Sequence, residues 1–167
     1  MISFLLKIKE SFSDWLNSLY GEGPGFQVFC HPVLTPGQEW KAKFDTILIV
    51  EDLPRYIAEM HNILENHYAD AKITVGIASC HSTALEIFKE YNFSLAILDF
   101  DLQDAEGDGL DLLEKFLLEK PNLPVLANSG KPKSNKQLMK HGALYITAKK
   151  KEQLSAWLKA NDAPPHL

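Results

Sequence analysis

Cysteine is scarce in this chain, with two among 167 residues, Cys30 and Cys80. They stand far apart and outside any CxxC spacing, which excludes a disulfide framework or zinc ribbon and makes reduced thiols the plain reading. A basic excess is lacking too. Lys and Arg number 17 against 22 Asp and Glu, a formal net charge of −5, so the whole molecule does not offer the cationic surface that nucleic acid requires. There is no long hydrophobic run. The greasy start "MISFLL" meets Lys7, Lys9 and Glu10 within a few residues and no small-residue cleavage site follows. Neither a signal peptide nor a membrane span is expected, and a cytoplasmic location is. Repeats of solenoid period and low-complexity tracts are missing as well.

What the chain does have is apolar residues, 46% of the total, enough for one compact domain with an appendage. Leu5, Ile8, Phe12, Trp15, Leu16 and Leu19 recur at helical spacing and predict an amphipathic helix over residues 1–20. Its polar face carries mixed charges, as a packing surface does and a membrane anchor does not. It is expected either to pack back on the domain or to pair with a second copy as a homodimer. "GEGPG" should end it, and residues 21–45 read as a linker and irregular arm.

From Thr46 the pattern changes. "TILIV" is a continuous β-branched run, as in a strand buried on both faces. Further strands are predicted at 73–79, 94–100, 123–129 and 143–148, alternating with helices at 54–67, 81–91, 109–119, 134–141 and 151–160. The domain therefore spans 46–160, with 161–167 as a C-terminal tail. Such alternation implies an α/β parallel sheet covered on both faces, with ligands at the carboxyl ends of the strands.

Those strand ends carry the chemistry. The first ends in Glu51 and Asp52, the third in Asp99, the fourth in Ser129 and the fifth in Lys149. Three carboxylates gathered without a cation would repel one another, so the arrangement suits a hard divalent ion, with Mg²⁺ the natural choice. An aspartate so placed can act as a nucleophile toward phosphorus. Asp99 would be the acceptor, with Lys149 and Ser129 binding phosphoryl oxygens. Asp101 is an alternative acceptor, because counting back from Gly109 favours it; the apolar run "SLAIL" ends immediately before Asp99 and decides for Asp99.

The remaining polar groups have plainer readings. Asp104, Glu106 and Asp108 read as solvated loop acids. "DAEGDG" mimics the start of a calcium loop, but Lys115 occupies the twelfth place where a bidentate glutamate belongs. His61 reads as a solvated helix residue, and the histidines form no zinc spacing.

In this order and spacing "ILIVEDLPR", "FSLAILDFDL", "GDGLDLL", "LPVLANSG" and "GALYITAKK" resemble a response-regulator receiver domain of two-component signalling. The resemblance implies a doubly wound, flavodoxin-like five-stranded parallel sheet, order 2-1-3-4-5, with five flanking helices. It further implies phosphoryl transfer to Asp99 from a histidine kinase or histidine phosphotransfer protein. Mg²⁺ would be held by Glu51, Asp52, Asp99 and the main-chain carbonyl of Asp101. Signalling would then pass to a downstream protein target, without enzymatic activity beyond the domain's own phosphorylation and dephosphorylation. The alternative is a phosphorylation-independent interaction or dimerisation module. The chain departs from the family in a loop after Asp99 about two residues longer than usual. Gln103 and Lys150 stand where prolines are common, and Ile146 where an aromatic is usual.

Overall fold

Alternation along each strand writes the two halves of the core. The computed structural model describes residues 27–30, 40–69 and 71–163; the helix expected over 1–20 and the last four residues lie outside these. In chain order the elements are β1 (Gln27–Cys30), β2 (Thr46–Val50), α1 (Pro54–His67), β3 (Thr74–Ala78), α2 (His81–Glu90) and β4 (Leu95–Leu98). They continue with α3 (Gly109–Glu119), β5 (Val125–Ala127), α4 (Pro132–Lys140), β6 (Tyr145–Ile146) and α5 (Lys151–Asn161). Ile47, Ile49, Val75, Ile77, Leu95, Ile97 and Leu126 face α1 and α5. Leu48, Val50, Ala78, Ala96, Leu98, Val125 and Ala127 face α2, α3 and α4. Successive side chains point to opposite faces, and both faces of β2 to β5 are covered, so apart from Thr46 and Thr74 at their starts these strands carry no polar side chain.

The sheet order is β1-β3-β2-β4-β5-β6. Its last five strands are the parallel set in the expected order 2-1-3-4-5. The sixth strand corrects the reading of 21–45 as wholly irregular: β1 lies antiparallel on β3, with Gln27 opposite Ala78 and Cys30 opposite Val75. Among the described residues no helix is long and apolar enough to cross a membrane.

The tail expected from 161 onward also begins later. Asn161 closes α5, and Asp162 is buried. The Asp162 carboxylate accepts the N–H groups of Lys43 and Phe44 and the Tyr68 hydroxyl, each at 2.8 Å. Burial, with Asp162 beside it, pushes the Tyr68 phenol well above its ordinary pKa. Trp40 stacks on Tyr68 and Phe44 on Trp157. The strap that feeds β2 is thereby fastened to the ends of α1 and α5, at the rim where the parallel strands begin.

His61 on α1 is buried, not solvated. Burial lowers its pKa from 6.5 to about 4. The native state therefore keeps it neutral while the unfolded chain takes up a proton below 6.5, so stability is lost as pH falls from 6.5 toward 4, by at most about 3 kcal/mol. Glu65, with Oε2 at 3.6 Å from His61 Nδ1, has its pKa raised by burial and acts in the opposite sense. Urea midpoints of wild type and His61→Gln at pH 7.5, 6 and 5 isolate the histidine. The wild type should weaken more steeply, and parallel curves would refute this assignment.

Candidate functional site

Backbone ladders carry the acids to one rim. The Glu51 N–H donates to the Ala78 carbonyl at 3.1 Å, that of Asp99 to Val50 at 2.9 Å and that of Asn128 to Leu98 at 2.8 Å. Each residue following a strand is thus fixed by its neighbour. Glu51, Asp52 and Asp99 are all buried, and one carboxylate oxygen from each lies within 4.8 Å of the others. Oxygen ligands crowded this way, beside a lysine that contacts two of the three acids, are a donor set that suits a hard divalent cation.

That lysine is Lys149. Its ammonium donates to Asp99 Oδ2 and to Glu51 Oε1, both at 2.8 Å, and lies 2.7 Å from Glu51 Oε2. Burial disfavours the ammonium, but the charges and hydrogen bonds of Glu51 and Asp99 outweigh it and raise its pKa. Burial first, and the Asp99 charge second, push the Glu51 carboxyl up to about 8 against the pull of Lys149. Asp99 Oδ1 accepts the N–H of Phe100 at 2.7 Å and of Asp101 at 3.3 Å.

Lys149 reaches the pocket from an unusual backbone. Ala148 and Lys149 have φ of 52° and 55°, in the left-handed region, which costs L-residues about 1–2 kcal/mol each. Asn128 holds the turn. Its Oδ1 accepts the Thr147 hydroxyl at 2.6 Å and the Lys149 N–H at 3.0 Å, and the Lys150 N–H returns to the Thr147 carbonyl at 2.9 Å. Lys150 itself is exposed. Tyr56, from the first turn of α1, places its ring 4.2 Å from the Lys149 ammonium, a cation–π contact that restrains the lysine.

Ser129 sits at the same rim, yet its hydroxyl does not donate to Asp99. It donates to Asp101 Oδ2 at 3.0 Å. The same oxygen accepts Ser134 at 3.3 Å, and Oδ1 accepts Lys131 at 2.9 Å. Burial raises the Asp101 carboxyl, but the hydrogen bonds from Lys131 and Ser129, the Lys131 charge and the bond from Ser134 bring it below its ordinary value. The Asp101 side chain is thereby occupied away from the three clustered acids.

Two loop acids read as solvated have structural duties. Asp108 caps α3, accepting the N–H groups of Leu110 at 2.9 Å and Asp111 at 3.0 Å. Asp104 caps α2 from outside that helix, accepting the His81 N–H at 2.8 Å. Glu106 is exposed. Asn128, Lys131, Ser134 and Tyr56 were not singled out from sequence. Asn128 and Tyr56 lie beside motif residues, which is the one signal that pointed to them.

The arrangement can stabilise anionic oxygens near Asp99 with a lysine and with buried acids that could hold a cation, features that suit phosphoryl transfer. Comparison with known proteins agrees in fold. Residues 47–159 match the family described as response regulator receiver domain. No curated protein sequence matches the chain significantly. Among solved structures, a CheY-like response regulator receiver domain protein from Methanospirillum hungatei JF-1 is 24% identical, covering 70% of this chain and 92% of that one, with a TM-score of 0.59. The receiver domain of NtrX from Brucella abortus is 23% identical, covering 69% and 98%, with a TM-score of 0.54. A response regulator from Burkholderia pseudomallei, with a phosphorylated aspartic acid, a calcium ion and citrate, is 20% identical over 61% of this chain and 58% of that one, with a TM-score of 0.52.

Proposed function

Because this chain belongs to the response regulator receiver domain family, we propose that Asp99 accepts a phosphoryl group from the phosphohistidine of a kinase or phosphotransfer protein. The observation that carries this reading is the buried meeting of Glu51, Asp52 and Asp99 with the Lys149 ammonium at the end of β4. In the transfer an Asp99 carboxylate oxygen forms a bond to phosphorus while the bond from phosphorus to the donor's imidazole nitrogen breaks. The bonding pair leaves with the imidazole. Lys149 neutralises oxygens of the moving group, and the Ser129 hydroxyl, from the end of the neighbouring strand, donates to another.

Glu51, Asp52, Asp99 and the main-chain carbonyl of Asp101 would hold Mg²⁺, which when bound offsets the charge of the incoming phosphoryl oxygens. The chain would catalyse no reaction beyond its own phosphorylation and dephosphorylation. Its message would pass by protein contact from α4, β6 and α5, in the cytoplasm. The phosphorylated aspartic acid and bound metal of the Burkholderia pseudomallei relative support the chemistry by analogy.

Intact mass after incubation with a small phosphoryl donor tests the reading. One phosphoryl group should be gained with Mg²⁺ and none with a chelator. A gain that ignores the metal, or no gain with Mg²⁺ from either a small donor or a phosphorylated histidine domain, would overturn it.

A further inference from the structure

Ser129 has one proton to donate, and in this structure it goes to the wrong carboxylate for the proposed chemistry. We infer that Asp101 is a latch that holds the Ser129 hydroxyl off Asp99 until a phosphoryl group competes for it. This rests on the phosphoryl-acceptor reading of Asp99 and adds a positioning residue to it.

The geometry makes the choice exclusive. The Ser129 hydroxyl donates to Asp101 Oδ2 at 3.0 Å, and its oxygen receives the Lys131 N–H at 3.3 Å. The Ser129 backbone cannot follow its side chain, because Asn135 clamps it from both sides: Asn135 Oδ1 accepts the Ser129 N–H at 2.9 Å and Asn135 Nδ2 donates to the Ser129 carbonyl at 2.6 Å. A change of partner is therefore a rotation about one side-chain bond. Asp101 is built to hold its end, with Lys131 on Oδ1 and Ser134, from the first turn of α4, sharing Oδ2. A phosphoryl group on Asp99 adds a doubly charged acceptor nearby, stronger than a carboxylate already satisfied by other donors. When Ser129 turns to it, Asp101 loses one of its three side-chain donors, and the tie between the loop after β4 and the start of α4 is weakened.

The test follows initial rates of phosphoryl gain by the full chain, measured by intact mass over a range of small-donor concentrations in excess Mg²⁺. Wild type, Asp101→Ala, Asp101→Asn, Ser129→Ala and the Asp101→Ala/Ser129→Ala double variant are compared. Losing a hydrogen bond to a charged acceptor that exists only in the resting form sets the scale. Asp101→Ala should raise the maximal rate about tenfold, with the donor concentration for half-maximal rate unchanged. Asp101→Asn keeps an acceptor for Ser129 and should fall between. The acceleration should vanish when Ser129 is already Ala, since the two groups then have nothing to exchange. An unchanged or slower Asp101→Ala, or an acceleration that survives Ser129→Ala, would overturn the latch. Gain in wild type without this coupling sinks the latch and leaves the acceptor reading standing. Gain in Asp101→Ala alone supports both, and gain in no variant, from the small donor or from a phosphorylated histidine domain, removes both.

Discussion

Asp99→Asn is expected to gain no phosphoryl group under conditions where wild type gains one, a loss of at least about a thousandfold in rate, while Asp101→Asn still gains one. The amide is nearly the shape of the acid but is no nucleophile. Its oxygen can still accept the Phe100 and Asp101 N–H groups that hold Oδ1, so the variant keeps the local backbone. It removes the like charge that helps push Glu51 up to about 8 and also the Oδ2 acceptor of the Lys149 ammonium, two changes of opposite sign in resting stability. The pair of variants therefore separates the chemistry from the fold. Intact mass reads the outcome, and a phosphoryl group retained by Asp99→Asn but lost from Asp101→Asn would transfer the acceptor role to Asp101.

Gly109→Ala carries the second large effect, on stability. Gly109 opens α3, and its N–H donates to the Phe100 carbonyl at 2.9 Å. A Cβ there would lie 2.0 Å from the Asp99 carbonyl oxygen and 2.7 Å from the Phe100 Cα. These are backbone atoms of Asp99 and Phe100 themselves, and they cannot step aside without moving the Asp99 carboxylate. The expected cost is about 3 kcal/mol or more, beyond the usual range for an added methyl. Gly107→Ala is the control. Its Cβ would approach the His81 ring at 2.7 Å and Asp111 Oδ2 at 3.0 Å, which are side-chain atoms. That variant should cost well under half as much, and equal urea midpoints for the two would contradict the steric argument.

The parallel sheet was legible in the sequence because a strand covered on both faces must be apolar at every position. "TILIV" and "SLAIL" announce themselves, and the acid following each is then placed at the rim by the ladder alone. Gln27–Cys30 was not legible. It is a four-residue edge strand between turn-rich segments, and its pairing with β3 is decided across nearly fifty positions, which local pattern does not record. Asp162 was hidden for the same reason. Its donors lie at Lys43, Phe44 and Tyr68, so a residue that looks like frayed tail becomes a buried clasp. Ser129 was placed at the correct rim, but several carboxylates compete for a hydroxyl there, and spacing along the chain does not say which one wins. The route of Lys149 was equally invisible, since it depends on two left-handed residues that an asparagine side chain makes tolerable.

The direction of β1 decides which rim of the sheet its first residue reaches. Because β1 runs against β3, Gln27 lies beside Ala78 and Cys30 beside Val75. Ala78 is the residue whose carbonyl receives the Glu51 N–H, so Gln27 stands at the rim where the acids gather, three strand spacings from β4, about 14 Å across the sheet. A parallel β1 would have brought residue 27 to the opposite rim, beside the Asp162 clasp. As built, the antiparallel strand opens on the acids' own shore and closes on the far one, so its two ends face opposite rims of the sheet.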